Sequence, residues 1–100
     1  METQKTISDW ATETFGYPKS VYIIIGRMIQ EVRELEVVYS RMQIDNAKIA
    51  DECADIYIVM CQVINTMGYN LHSCVDHKME INRARKWTVN EDGTGQHIKE

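Results

Sequence analysis

Two runs of apolar residues at helical spacing constrain the fold of this chain more than any other feature. The first run recurs every three, four or seven positions: Ile24, Met28, Leu35, Val38 and Met42. The second run follows the same spacing: Ile49, Ile56, Val59 and Val63. Residues three and four apart lie on one face of a helix, so each run predicts a long amphipathic helix.

Acidic residues interrupt both apolar runs. Glu31 occupies a position where the first run would have another apolar residue, and Glu52 does the same in the second. Each has an acidic neighbour three residues later, Glu34 and Asp55, and such pairs lie about 60° apart around a helix. A carboxylate in an apolar seam is unfavourable unless it is paired or holds a metal ion. The alternative is a solvated face, since acids are common here, but two such pairs favour convergence between neighbouring helices.

Caps and breaks divide the chain into helices. One proline and five glycines among 100 residues suit packed helices. We predict helices over about residues 4–15, 20–41, 46–67 and 71–87, with Ser20, Asp45 or Asn46, and Asn70 as N-caps. Residues 21–25 would also suit a buried strand, but no partner strand is evident. The prediction is an all-α four-helix bundle over residues 1–87, with a polar, turn-rich tail over residues 88–100.

Composition limits the function classes. A formal net charge of −4 argues against a general nucleic-acid binder. The N-terminal residues are polar, and no apolar run approaches the length of a membrane span. Cys53, Cys61 and Cys74 form no C-x-x-C pair and are expected to be buried, reduced thiols. We therefore expect a cytoplasmic protein, and its small core favours a homo-oligomer.

The predicted carboxylate cluster favours a hard metal ion. An all-oxygen site suits Mg²⁺ or Mn²⁺, and Mg²⁺ typically keeps several waters and works with substrate phosphates. A di-iron bundle would need a histidine three residues after a glutamate. No glutamate in the chain has one.

The fourth predicted helix carries the complementary charge. Lys78, Asn82 and Arg85 are spaced four and three residues apart, so they form one polar stripe. Such a stripe is often only a solvated basic face. Beside a metal-carboxylate cluster, however, lysine and arginine would help to neutralise a triphosphate.

The order of these motifs resembles a known family. Glu31-x-x-Glu34, Glu52-x-x-Asp55 and the later Lys78-x-x-x-Asn82-x-x-Arg85 look like the MazG-like all-α nucleoside-triphosphate pyrophosphohydrolases. The opening Trp10-Ala11 and Phe15-Gly16, and the tail Arg85-Lys86-Trp87, are similar to those of short, often phage-borne members. The resemblance spans nearly the whole chain.

The resemblance implies an enzyme that hydrolyses a nucleoside or deoxynucleoside triphosphate to the monophosphate and pyrophosphate. The carried-over Mg²⁺ ligands, which would also be the catalytic groups, are Glu31, Glu34, Glu52 and Asp55. Mn²⁺ is expected to substitute for Mg²⁺, and one glutamate would orient or deprotonate the attacking water. Family members are dimers or tetramers whose sites border the interface.

The resemblance also assigns substrate contacts. Lys78 and Arg85 would hold phosphates, and Asn82 would contact phosphate or sugar. Trp10 and Trp87 are candidates to stack on the base, although aromatic residues at helical spacing are more often core residues. Two further functions stay open from the residues themselves: a non-catalytic helical interaction module and a sensor that binds a nucleotide without cleaving it. No residue specifies the base.

Overall fold

The computed structural model describes residues 1–40 and 45–99. Within these ranges the chain forms four α-helices followed by one antiparallel β-hairpin. The elements are α1 (Gln4–Phe15), α2 (Val21–Ser40), α3 (Asn46–Thr66), α4 (Leu71–Ala84), β1 (Trp87–Val89) and β2 (Gly95–His97). Residues 21–25, which are β-branched enough to suit a strand, are helical, as predicted.

Local sequence signals set the helix ends. Asp45 and Asn70 lie in extended backbone, and their side chains accept hydrogen bonds from backbone N–H groups in the first turns of α3 and α4. Ser20 Oγ accepts a weaker bond of 3.4 Å at the start of α2. Gly16, with φ at 78°, ends α1 in a conformation that residues with a Cβ rarely adopt. The predicted caps are confirmed, but the predicted end of α2 at Arg41 lies outside the described residues.

Helix α3 is the centre of the structure, as its nearly continuous apolar sequence predicts. It packs along α2 through a cluster of Ile24, Val59 and Val63. On another face, Cys61 contacts Ile7 of α1 and Leu71 of α4. The apolar runs of α2 and α3 therefore meet at one helix–helix interface.

The buried side chain of Gln4 ties α1 to the turn between α3 and α4. Its Oε1 accepts a 2.6 Å hydrogen bond from the Leu71 backbone N–H, and its Nε2 donates a 2.8 Å bond to the Tyr69 carbonyl. Nε2 also lies 3.4 Å from Asn65 Oδ1. One amide thereby satisfies backbone groups that the turn leaves without helical partners.

The end of the chain departs from the prediction. Helix α4 ends at Ala84, and Trp87, predicted to be its last residue, begins a strand in which it pairs with His97. The 88–100 segment was expected to be a tail, yet it holds most of this hairpin. β-Branched Thr88 and Val89, followed by a turn with Gly93 at φ 87°, favour a hairpin over helix continuation.

Burial also corrects one sequence expectation. Cys61 is fully buried and Cys74 half-buried, but Cys53 is exposed, so the thiols are not all in the core. All three are free. Among the described residues, no helix is both long and apolar enough to cross a membrane.

Candidate active site

Carboxylates from α2 and α3 meet where these helices pack. One oxygen each from Glu31, Glu52 and Asp55 lies within 4.8 Å of the others. Glu31 is the deepest, with 4% of its surface exposed, while Glu52 is half-buried and Asp55 exposed. The structure thus brings together three of the four acids that the sequence singled out.

Glu31 lies in an environment that opposes its ionisation. Burial is the main cause that raises its pKa, and the neighbouring Glu34 and Asp55 add to the effect. The Arg27 guanidinium, 2.9 Å from Glu31 Oε1, acts in the opposite direction. Glu34, the fourth predicted acid, lies beside Glu31 and is exposed.

Glu52 supplies an independent sign that the cluster is built for a cation. Its Oε2 is buried and has no hydrogen-bond partner among the described residues. A buried carboxylate oxygen without a donor is unfavourable, and a divalent cation would satisfy it. Three converging carboxylates form an all-oxygen donor set of the kind that Mg²⁺ and Mn²⁺ prefer. The residues therefore fit a divalent metal ion.

A cavity of about 630 Å³ opens beside these carboxylates, between α1, α2 and α3. Glu31 and Asp55 line it together with Arg27. Its volume lies within the range of about 300–1,000 Å³ that small-molecule sites usually have. A ligand in the cavity would thus reach the carboxylate cluster directly.

Trp10 lines the same cavity, whereas Trp87 does not. The Trp10 ring is half-exposed and meets the Phe15 ring edge-on, with centroids 5.5 Å apart. Trp87 lies in the hairpin, where its Nε1–H donates a 2.8 Å hydrogen bond to the Asn82 carbonyl and its ring lies 5.8 Å from that of His97. Only Trp10 of the two predicted stacking residues is placed for a ligand in this cavity.

The polar stripe of Lys78, Asn82 and Arg85 does not line the cavity in a single chain. On α4, Lys78 is exposed and Asn82 half-buried, and Arg85, the residue that follows the helix, is also half-buried. None of the three belongs to the described residues that line the cavity. Helix α4 contacts α3 at Leu71, in its first turn.

Sequence reasoning missed several residues of the site. Arg27 precedes Glu31 by four positions, a spacing that pairs charges on a helix and was available as a signal. Ser8 and Gln62 also line the cavity. Neither residue belongs to a sequence motif. Their positions in the cavity wall depend on how α1 packs against α3, which the sequence does not indicate.

A phage enzyme is similar in sequence to the chain. A dATP/dGTP diphosphohydrolase of Salmonella phage PMBT28 is 33% identical to the chain over 97 residues. That alignment covers 97% of this chain and 31% of the phage protein, so the chain spans about a third of the length of this curated relative. No protein-family model matches the chain.

A solved structure shares the fold. It is a cyanophage S-2L MazG-like pyrophosphohydrolase bound to dGDP and three catalytic Mn²⁺ ions per active site. The two chains superpose with a TM-score of 0.74 at 25% identity, covering 97% of this chain and 90% of the other. This chain has the fold of that MazG-like protein. The predicted all-α MazG-like fold is confirmed, with the terminal hairpin as an addition to the predicted four helices.

Proposed function

We propose that this protein hydrolyses a deoxynucleoside triphosphate to the monophosphate and pyrophosphate with the help of Mg²⁺ or Mn²⁺. The observation that carries the proposal is the convergence of Glu31, Glu52 and Asp55 within 4.8 Å at the edge of a ligand-sized cavity. The name of the Salmonella phage relative supports dATP and dGTP as the first substrates to test.

The chain's own carboxylates divide the work in this proposal. Glu31, Glu52 and Asp55 hold the cation, and Glu34, which lies beside Glu31, completes the donor set or contacts a bound water. A divalent cation held there would neutralise phosphate oxygens and lower the pKa of water. One carboxylate orients the attacking water and accepts its proton as the water attacks the α-phosphorus. The bond between the α-phosphorus and the bridging oxygen breaks, and pyrophosphate leaves.

Product analysis tests the reaction. Incubation of dATP or dGTP with Mg²⁺ or Mn²⁺ should give the monophosphate and pyrophosphate in equal amounts on ion-exchange chromatography. In ¹⁸O-labelled water the label should appear in the monophosphate. Diphosphate and inorganic phosphate, or label in pyrophosphate, would contradict the proposal. A stabilising shift with nucleotide but no product would instead indicate a nucleotide sensor.

Matched variants test the carboxylate cluster. Glu52→Gln keeps the size of the side chain but removes a charged ligand, and we expect a loss of turnover of at least about a hundredfold. Glu36→Gln makes the same change at an exposed position of α2 that faces away from Glu31. The control should retain full activity. Equal activity of the two variants would remove Glu52 from the proposed site.

We also propose that the working protein is a homo-oligomer. The radius of gyration is 16.4 Å, against about 13 Å for a compact domain of this length. Exposed apolar side chains recur every three or four residues along the outer face of α2: Tyr22, Ile25, Ile29 and Val32. A continuous exposed stripe of this kind is unusual for a monomer and supports contact with a second copy.

The polar stripe suggests how an oligomer would contribute to catalysis. In one chain Lys78 and Arg85 do not line the cavity, so we propose that a second copy brings them to the phosphates. Inactive Glu52→Gln and Arg85→Ala proteins, mixed and allowed to exchange subunits as dimers, should then recover about one quarter of wild-type activity. No recovery despite demonstrated exchange would place both groups in the site of one chain.

A further inference from the structure

The cavity beside the carboxylates contains a polar group that the fold leaves unsatisfied. Ser8 is 5% exposed, and its Oγ has no hydrogen-bond partner among the described residues. A serine inside a helix usually donates to the carbonyl four residues earlier or points to solvent. Ser8 does neither, although it lines the cavity. A buried hydroxyl without a partner is unfavourable unless a ligand supplies one.

A second polar side chain lines the same cavity. Gln62 of α3 is half-buried, and its backbone carbonyl accepts a 2.7 Å bond from the Thr66 hydroxyl. Its side-chain amide has no hydrogen bond to any other residue in the described ranges. The packing of Ile7 against Cys61 sets α1 along α3, and Ser8 and Gln62 are the next residues along each helix.

The rest of this part of the cavity is apolar and partly aromatic. Trp10, Phe15, Ile23 and Ile24 line it. Flat aromatic faces with a few polar groups are what nucleobase sites use, because the base stacks on the ring and its edge forms hydrogen bonds. The cavity continues to Glu31 and Asp55, where a polyphosphate would meet the cation.

We propose that this part of the cavity holds the base of the nucleotide, and that Ser8 Oγ and the Gln62 amide hydrogen-bond the group at position 6 of a purine. The assignment rests on the proposed function for its substrate class. A hydroxyl and a carboxamide can each donate or accept a hydrogen bond. The same pair therefore accommodates the 6-amino group of adenine and the 6-oxo group of guanine, which explains how one site would take both purines.

Nucleoside binding tests the base site without phosphates or metal. Calorimetric titration with 2′-deoxyadenosine and 2′-deoxyguanosine should show about tenfold weaker binding of both by Ser8→Ala. The loss should disappear with 2′-deoxyribosylpurine, which lacks a group at position 6. Ser40→Ala is the matched control, since its hydroxyl donates to the Val37 carbonyl at an exposed helix end. It should bind all three nucleosides as the wild type does.

Kinetics and stability complete the test. For dATP and dGTP, Ser8→Ala should raise KM about tenfold and leave kcat within about twofold. Metal-free Ser8→Ala should be at least as stable as the wild type in urea, because it removes a hydroxyl that lacks a partner. A clearly less stable variant would show that the fold satisfies the hydroxyl, and would overturn the assignment.

The two proposals can fail separately. If the wild type cleaves dATP and dGTP but Ser8→Ala has an unchanged KM and unchanged nucleoside affinity, the base assignment is wrong and the reaction stands. If the wild type binds the nucleosides with the expected Ser8 dependence but cleaves no triphosphate, the base assignment stands and the reaction is wrong.

Discussion

Glu31→Gln should make the metal-free protein more stable while it destroys the proposed metal site. Glu31 is 4% exposed, and carboxylate oxygens of Glu52 and Asp55 lie within 4.8 Å of its own. Without a cation these like charges repel one another. Glutamine has nearly the same shape and keeps an oxygen that can accept from Arg27, so the substitution removes mainly the charge.

The expected gain follows from Coulomb's law with solvent screening. At 4.8 Å, each repulsive pair amounts to roughly 1 kcal/mol in a water-like dielectric and roughly 3 kcal/mol at an effective dielectric of 20. Asp55 is exposed and Glu52 half-buried, so the lower figure applies better and two pairs give about 2 kcal/mol. The lost charge on the Arg27 pair subtracts up to about 1 kcal/mol, because that arginine is 61% exposed. We expect a net gain of about 1–2 kcal/mol, or roughly 5–15 °C in Tm.

A bound divalent cation should make the wild type more stable than Glu31→Gln. Binding to the native state alone stabilises it by about 2.7 kcal/mol at a concentration one hundred times Kd, which corresponds to a rise of about 10 °C or more for a domain of this size. We expect Mn²⁺ to raise the Tm of the wild type by that amount and to leave Glu31→Gln nearly unchanged. Differential scanning fluorimetry with excess EDTA and with millimolar Mn²⁺ measures both effects at one pH.

Glu36→Gln is the matched control, since it removes the same charge from an exposed position on α2. It should change neither the metal-free Tm nor the response to Mn²⁺. A lower metal-free Tm for Glu31→Gln would contradict the prediction, because it would show that the buried charge is stabilising. A full Mn²⁺ response in Glu31→Gln would refute the role of Glu31 as a ligand.

Two further predictions concern the fold. Gln4→Ala removes the hydrogen bonds to the Leu71 N–H and the Tyr69 carbonyl, so it should lower the free energy of unfolding in urea by about 2–4 kcal/mol. Gln30→Ala changes an exposed residue and should leave that free energy almost unchanged. Equal losses in the two variants would contradict the bridging role of Gln4. Burial raises the pKa of the Cys61 thiol, whereas Cys53 is exposed, so mass spectrometry at mildly alkaline pH should find Cys53 alkylated first. Early modification of Cys61 in the folded protein would be the contrary result.

The site divides into parts that were visible in the sequence and parts that were not. Glu31 and Glu52 stood out because each replaces an apolar residue in a periodic stripe, and this position forces them into the interface between α2 and α3. Glu34 and Asp55 followed from a spacing of three, which sets them beside the first pair but does not say how deep each lies. In the structure both are exposed, but an oxygen of Asp55 lies within 4.8 Å of oxygens of Glu31 and Glu52, whereas Glu34 lies beside Glu31.

The end of α4 shows why local signals can mislead. The fourth helix was predicted to reach Trp87, and the polar stripe of Lys78, Asn82 and Arg85 keeps helical spacing almost to that point. In the structure the helix ends at Ala84, and the strand Trp87–Val89 pairs with Gly95–His97. This pairing joins two segments across a turn, and the periodicity of a single segment cannot predict it.

The helices, their buried faces and the acids on those faces could be predicted from the sequence, because each depends on spacing within one segment. Which groups share a cavity depends instead on how the helices pack. Ser8 and Gln62 share a cavity because α1 packs on α3 through Ile7 and Cys61, whereas the polar stripe of Lys78, Asn82 and Arg85 does not line that cavity. These are relations between segments distant in sequence, and they arise from the packing of whole helices rather than from the residues at the site.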